Sequence, residues 1–368
     1  MSLEFKLRSV NIKTIISAII ISFLVGGLIV LSSGYNPAEV YYKLFKGALG
    51  SKFAIASTLR WITPLLFTSV ASAIAFRGGM FNMGVEGQLY IGALAGTIVG
   101  VSCKGLPHLA HVALCFLAAM TAGMFYAMIP ALMRVYLNAS EVVTTLMLNY
   151  MIINLNNFII QEYFLATDSM VSTIATNEIE ASAKLTSIMP PYSVNTGLII
   201  GAFMIVLFYI LFNKSKLGYE FHISGVNPQF ARYGGIQVDR VRIGVMLISG
   251  CIAGLGGAVE IMGVQERLMA SFSPNFGFDG MLAALLGNST PLGVTLSSVF
   301  FGTLKAGALS IERTTDVSRA LADVIKGIII CFVSVRTLGL LDRISFRWPG
   351  NRVLRNKGKG TKEVKNVY

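Results

Sequence analysis

Charge is scarce in this chain. Only 13% of its 368 residues are Asp, Glu, Lys or Arg, against 54% hydrophobic, and a soluble protein of this length would interrupt its apolar stretches with solvated faces. Cysteine is scarce too. Cys103, Cys115, Cys251 and Cys331 lie in or beside apolar runs with no C-x-x-C spacing, so they read as small core residues and not as a disulfide or metal framework. There is no G-x-x-x-x-G-K-[ST] loop, and Gly358-Lys359-Gly360 lacks the preceding glycine that such a loop needs, which excludes ATP binding through a Walker site. H-E-x-x-H is missing as well. Of the three histidines, His108 and His111 are three apart and could share a helical face, but no third ligand is near and they read as an interfacial pair; His222 has no visible partner. No metal or other cofactor is expected on this chain, and without an aspartate-rich or metal-binding cluster a membrane-embedded enzyme is disfavoured.

Long uncharged runs are abundant. Ile15–Ser33 is of spanning length, and comparable runs lie near Trp61–Phe76, Val85–Cys103, Ala110–Ile129, Val142–Ile160, Val194–Phe212, Ile243–Met262, Met281–Ala306 and Ala320–Leu341. Gly287-Asn288-Ser289-Thr290-Pro291 interrupts the eighth and predicts two half-helices or a sharp break. The expectation is an all-α integral membrane protein of about eight to ten spans. The first run follows a basic leader, but it is too long for a secretory h-region and no Ala-x-Ala-like site follows, so it reads as an uncleaved span.

The cations orient the chain. Met1–Lys13 holds three Lys/Arg, Lys214–Arg242 five and Asp342–Tyr368 eight, whereas Gln161–Ser193 carries Lys184 alone against Glu162, Asp168, Glu178 and Glu180. The positive-inside rule then puts both termini and the 214–242 loop in the cytoplasm and 161–193 outside. Gly34–Arg60, with Lys43, Lys46, Lys52 and Arg60, disagrees. Much of the net charge of +12 sits in the tail, where it is more simply a topology determinant resting on anionic lipid than a nucleic-acid surface.

One block occurs twice. Asn82-Met83-Gly84-Val85-Glu86-Gly87-Gln88-Leu89 reappears as Asn275-Phe276-Gly277-Phe278-Asp279-Gly280-Met281-Leu282. A carboxylate between glycines beside an apolar run is costly in lipid, and having it twice points to a duplicated architecture with a polar interior. Asn82, Glu86 and Gln88 either line a pathway, with Phe81 or Tyr90 able to stack on a ring, or Glu86 and Asp279 pair with interior groups such as Arg77 and hold the repeats together. Leu94, on the same run as Glu86, is expected to face lipid. A weaker match of 140–152 to 318–330 follows in the same order, so the halves are about 57–160 and 243–341, inverted if five spans separate them. Val142–Ile160 carries four asparagines, of which Asn149 is the interior candidate and others are interhelical glue. Asp323 and Lys326 read as an intrahelical ion pair. In the 214–242 loop, Asn227 as cap, Pro228 at the first helical position and Gly234 as terminator predict a helix too short to span, whose Phe230 and Tyr233 give an apolar edge for a soluble partner or for the membrane surface.

The stretch Phe76–Gln88, with Ser140–Tyr150, Gly225–Ile236, and Phe276–Gly280 followed by Ala283, Leu285–Asn288 and Pro291–Gly293, resembles ATP-binding-cassette importer permeases of the nucleoside and simple-sugar type, within the branched-chain amino acid and ribose permease family. The resemblance covers most of 35–341 and implies one transmembrane permease domain over 1–368. It implies a non-enzymatic transport subunit in a bacterial plasma membrane, paired with a second permease subunit as a heterodimer. ATP and Mg would be used by a cytoplasmic ATPase, and an extracytoplasmic substrate-binding lipoprotein would deliver nucleosides or related sugars. It further implies a translocation region around Phe81, Asn82, Glu86, Gln88, Asn149, Phe276, Asp279 and Asn288, and a coupling helix carrying Asn227, Pro228, Phe230, Arg232 and Tyr233. The basic tail at 342–368 exceeds the family pattern. An ATP-independent secondary transporter or channel for a small polar solute is the competing reading.

Overall fold

The computed structural model describes residues 23–32, 34–166 and 174–314, and within them the chain is helical apart from its connections and three isolated β-bridges. The helices are α1 (Phe23–Ser32), α2 (Pro37–Leu49), α3 (Lys52–Arg77), α4 (Val85–Ser102), α5 (His108–Leu137), α6 (Glu141–Tyr163), α7 (Gly197–Lys214), α8 (Lys216–Val226), α9 (Pro228–Tyr233), α10 (Val238–Glu260), α11 (Phe276–Leu286) and α12 (Pro291–Thr314). Among the described residues α3, α5, α6, α7, α12 and α10 with its π-helical extension to Gln265 are long and apolar enough to cross a membrane. This is an all-α integral membrane architecture. The eighth apolar run breaks as its turn residues require, with α11 and α12 separated at Gly287–Thr290. Ala320–Leu341, the 318–330 repeat match, Asp323, Lys326 and the basic tail lie outside the described residues.

Helix ends follow local chemistry. Asn36 caps α2 ahead of Pro37, and Ser51 caps α3 by accepting from the Ala54 amide at 3.0 Å. Gly78 and Gly79, the latter at φ +76°, close α3, a backbone angle that disfavours side chains. The 214–242 segment is more helical than its turn residues predict. It contains α8 as well as the short α9, whose Asn227 cap accepts from the Phe230 amide at 3.0 Å.

Two helices form the interior. α3 and α10 run antiparallel, with Gly78 against Val245 at one end and Arg60 paired with Glu260 toward the other. α10 is buried by backbone proximity: Gly250 and Gly254 abut Gly123 and Ala119 of α5, and Gly257 abuts Leu89 of α4, leaving no room for a Cβ. α5, α6 and α7 wrap this centre and turn large apolar side chains outward, among them Leu117, Met147, Tyr150, Ile199 and Phe203. Leu94 departs from expectation. It is 4% exposed, because α4 lies between α5, α6 and α10 with no lipid face at that position.

Candidate translocation site

The two copies of the repeated block meet. α4 starts inside the bundle after the 78–84 loop and runs alongside α10, while α11 starts after the 268–275 segment and runs alongside α3, Phe276 beside Trp61 and Gly280 beside Thr68. Since α3 and α10 are antiparallel, α4 and α11 are antiparallel too, and their N-terminal ends touch. Gly277, the counterpart of Gly84, lies directly on the Glu86 backbone with no space for a Cβ, and its amide donates to the Glu86 carboxylate. Each helix begins with amides that have no carbonyl partner within the helix, and with a positive dipole end. Glu86 in the first turn of α4 and Asp279 in the first turn of α11 put negative charge where that field is strongest.

On the α9 side of this contact is a cluster of amides. Asn82 and Gln88 face each other through both amide groups, at 3.0 and 3.2 Å. Asn82 Oδ1 also accepts from the Gly84 amide at 2.9 Å, and its Nδ2 donates to Ser249 Oγ at 2.8 Å, which in turn donates to the Ala71 carbonyl at 2.8 Å. Asn149 of α6 accepts from the Gly87 amide and donates to the Met83 carbonyl, both at 2.8 Å. One chain of hydrogen bonds therefore fixes the loop, α3, α4 and α10, and Asn149 adds α6. Every side-chain donor and acceptor in it is paired, at about 1 kcal/mol net per bond.

On the other side, toward the 174–196 loop, the polar groups are charged. Arg60 of α3 reaches Glu260 of α10 at 2.6 Å, and its guanidinium lies 4.0 Å from the centroid of the Trp61 ring. Lys305 of α12 reaches Asp279 at 2.7 Å and the Pro274 carbonyl at 2.8 Å, over the ring of Phe276. Gln265 Nε2 donates to Glu260 Oε1 and to the Phe272 carbonyl, each at 3.3 Å. Trp61 and Phe276 lean together with centroids 5.7 Å apart. Two polar atoms in this cluster are buried with no protein partner: Arg60 Nη1 and Gln265 Oε1.

Of the residues singled out in the sequence, Asn82, Glu86, Gln88, Asn149, Phe276 and Asp279 lie together around the contact, all 0–3% exposed. Phe81 stacks on Phe76 at 4.8 Å. Asn288 is apart from them, in the turn at the far end of α11. Arg77 packs on the Phe212 ring at 4.3 Å, so the partner that Glu86 meets is Gly277 of the second block. Asn227 and Pro228 start α9, Arg232 approaches Asp239 at 3.4 Å, and Phe230 and Tyr233 are 60% and 92% exposed. His108 and His111 both bond Ser182 of the loop, at 2.9 and 2.8 Å. Sequence reasoning missed Arg60, Glu260, Gln265 and Lys305. Arg60 had counted as a loop cation, yet it sits two turns inside α3; a charge that breaks an otherwise apolar run was the available signal.

Residues 54–334 match the family described as the branched-chain amino acid transport system permease component. The chain belongs to this permease family. Among its relatives, the nucleoside ABC transporter permease protein NupB of Lactococcus lactis subsp. cremoris is 35% identical over 338 residues, 90% of this chain and 92% of the relative. The guanosine ABC transporter permease protein NupP of Bacillus subtilis is 35% identical over 319 residues, 86% and 91% of the two chains. The glucose ABC transporter permease protein TsgB13 of Haloferax volcanii is 32% identical over 328 residues, 87% and 86% of the two chains. Lactococcus and Bacillus each supply a second permease of the same name series, 28% and 27% identical over 252 and 254 residues. No solved structure matches. The permease is thus a multi-pass membrane protein of a transport family, and both repeat blocks lie within the matched region.

Proposed function

We propose that the permease is the membrane-spanning subunit of an ATP-driven importer of nucleosides, or of closely related sugars, in a bacterial plasma membrane. It works beside a second permease, a cytoplasmic ATPase with its Mg and ATP, and an extracytoplasmic binding lipoprotein. The head-to-head contact of α4 and α11 carries this reading, because it joins two copies of one block across a polar interior. Rocking of one half against the other about Glu86 and Gly277 would open that interior to each side in turn. The surrounding residues divide the labour. The fully paired amides of Asn82, Gln88 and Asn149 support a role in fixing the hinge, with Phe81 and Asn288 at its margins, while the Phe276 and Asp279 side meets the solute. Glucose in the name of one relative and nucleosides in others keep a ribose-bearing or hexose solute within range, and the paired permeases of two bacteria favour a heterodimer.

α9 supplies the link to the motor. Its aromatic edge lies outside the spans and is exposed, and the cation count of the 214–242 segment favours a cytoplasmic position for it, with both termini on the same side. The test is uptake by proteoliposomes holding the full importer. Nucleoside should accumulate only with ATP and the ATPase present, and the permease alone should pass none; flux through the permease alone would establish the secondary-transporter reading instead. Phe230→Asp should insert normally, lose the ATPase on co-purification and abolish uptake, since a charge would enter an apolar contact. A Phe230→Asp complex that retains its ATPase and its transport would remove α9 from the coupling path.

A further inference from the structure

The unpaired atoms of Arg60 and Gln265 are not scattered. Arg60 Nη2 and Gln265 Nε2 both donate to the same oxygen, Glu260 Oε1, at 2.6 and 3.3 Å, so the guanidinium and the amide flank one carboxylate. The second bond of Gln265 Nε2, to the Phe272 carbonyl, fixes which end of the amide is which: two acceptors hold the nitrogen, and Oε1 is the atom left over. On two side chains that share one carboxylate oxygen, the cluster thus presents an N–H donor, Arg60 Nη1, and a carbonyl acceptor, Gln265 Oε1, both buried and, among the described residues, without a protein partner. A buried polar atom left unpaired costs about 1–3 kcal/mol, and such a pair is retained most simply where a ligand completes it. Aromatic surface adjoins this pair, since the Arg60 guanidinium lies 4.0 Å from the Trp61 centroid. No cation is left for a phosphate, Arg60 being engaged by Glu260 and Lys305 by Asp279.

We infer that Arg60 and Gln265 form a recognition edge for a neutral planar heterocycle that offers an acceptor next to a donor, as the lactam edge of a purine or pyrimidine nucleoside does. Arg60 Nη1 donates to the ring carbonyl and Gln265 Oε1 accepts the neighbouring ring N–H, with Trp61, stacked on the Arg60 guanidinium, beside the bound base. This rests on the importer reading above and specifies which part of a nucleoside is read, and by which atoms.

Trp61 makes the inference testable without transport. Trp61 and Trp348 are the two tryptophans, so the full chain carrying Trp348→Phe in lipid nanodiscs reports from the cluster alone. Inosine should quench Trp61 saturably. Purine riboside, which lacks both the ring carbonyl and the ring N–H, should need at least roughly tenfold higher concentration, and glucose should not quench, a missing hydrogen-bond partner in a desolvated site being worth about that factor or more. In Gln265→Leu the midpoint for inosine should rise part of the way to that for purine riboside, because the Arg60 bond to the ring carbonyl remains, while purine riboside itself should be little changed. No saturable quenching by inosine, equal midpoints for inosine and purine riboside in the unsubstituted edge, or a preference undiminished in Gln265→Leu would each overturn the assignment. If quenching fails while the reconstituted importer still takes up nucleosides with ATP, the recognition edge falls and the importer reading stands. If the importer carries only glucose, the nucleoside reading itself falls.

Discussion

The two polar clusters that flank the α4–α11 contact use similar amounts of polarity to different ends. Around Asn82, Gln88, Asn149 and Ser249 the groups are neutral amides and a hydroxyl, each donor meets an acceptor of the same chain, and the result ties four helices and a loop together. Around Arg60, Glu260, Asp279 and Lys305 the groups are charged, the ion pairs are nearly buried, and two polar atoms stay unpaired. Neutral groups are the cheaper way to build a fixed joint in an apolar interior, since removing a charge from water costs several kcal/mol even when it is paired. Charged groups held there with spare hydrogen-bonding capacity are better explained by something they must contact.

The comparison can be broken where it is steepest. Glu260→Ala leaves Arg60 buried without its counter-charge and should destabilise the permease by about 3–5 kcal/mol, whereas the double substitution Arg60→Met with Glu260→Met should recover most of that loss. Thermal unfolding in detergent reads both, and a double variant as unstable as Glu260→Ala would mean that the pair matters for its packing and not its charge. Next come the repeated carboxylates. Glu86→Ala and Asp279→Ala each orphan an interior partner and should cost about 1–3 kcal/mol and more of the transport rate than Leu117→Ala, a substitution at a 58% exposed position on α5. Equal uptake by all three at equal expression would show that neither carboxylate is a pivot. Asn82→Leu should cost a similar 1–3 kcal/mol by unpairing Gln88 and Ser249, but with stability and transport falling together, as expected of a joint. Loss of transport with no loss of stability would put Asn82 in contact with solute.

The smallest effect lies at the rim of the charged side. Glu178 in the 174–196 loop accepts from Arg267 and pairs with Lys184, which itself meets Glu266. The hydrogen bond from Arg267, then the charge of Lys184, lowers the Glu178 pKa below the ordinary carboxylate value. A lowered folded-state value means that the contribution is present at neutral pH and is lost as pH falls through the acid range below the unfolded value. Solvent screens the group, so the effect should stay local. Protection factors at Ala175–Glu180, taken relative to the intrinsic exchange rate at each pH, should fall on acidification to about pH 3, below the unfolded carboxylate value near 4.3, while α3 and α10 remain protected; unchanged protection factors would show that the pairs do not hold the loop.

Much of the frame was legible because it depends on local residues. The Gly287–Pro291 break, the Asn227–Gly234 boundaries of α9 and the interior positions of Asn82, Glu86 and Asn149 follow from turn chemistry and from polar groups in apolar runs. The charged cluster was not, because each member is a lone charge whose partner lies far along the chain, Arg60 and Glu260 being 200 residues apart. Nothing in a single sequence registers two such positions against each other. Leu94 failed for a related reason: an apolar residue on a span carries no mark of whether lipid or another helix covers it, and only the packing of α4 among α5, α6 and α10 decides it.

The head-to-head meeting of α4 and α11 also bears on how the permease responds to membrane voltage. Each of the two helices carries about half a positive charge at its start, but they point in opposite directions, so their moments oppose, and a rocking motion that tilts both together displaces less net charge across the field than either alone. A transmembrane potential does work only on displaced charge, about 2.3 kcal/mol per elementary charge for each 100 mV. This pair of helices therefore adds little voltage dependence of its own. For a neutral solute the initial rate of ATP-driven uptake should be the same in vesicles clamped at zero and at an inside-negative potential; a rate that changed severalfold would mean that the charged cluster, and not the paired half-helices, moves through the field.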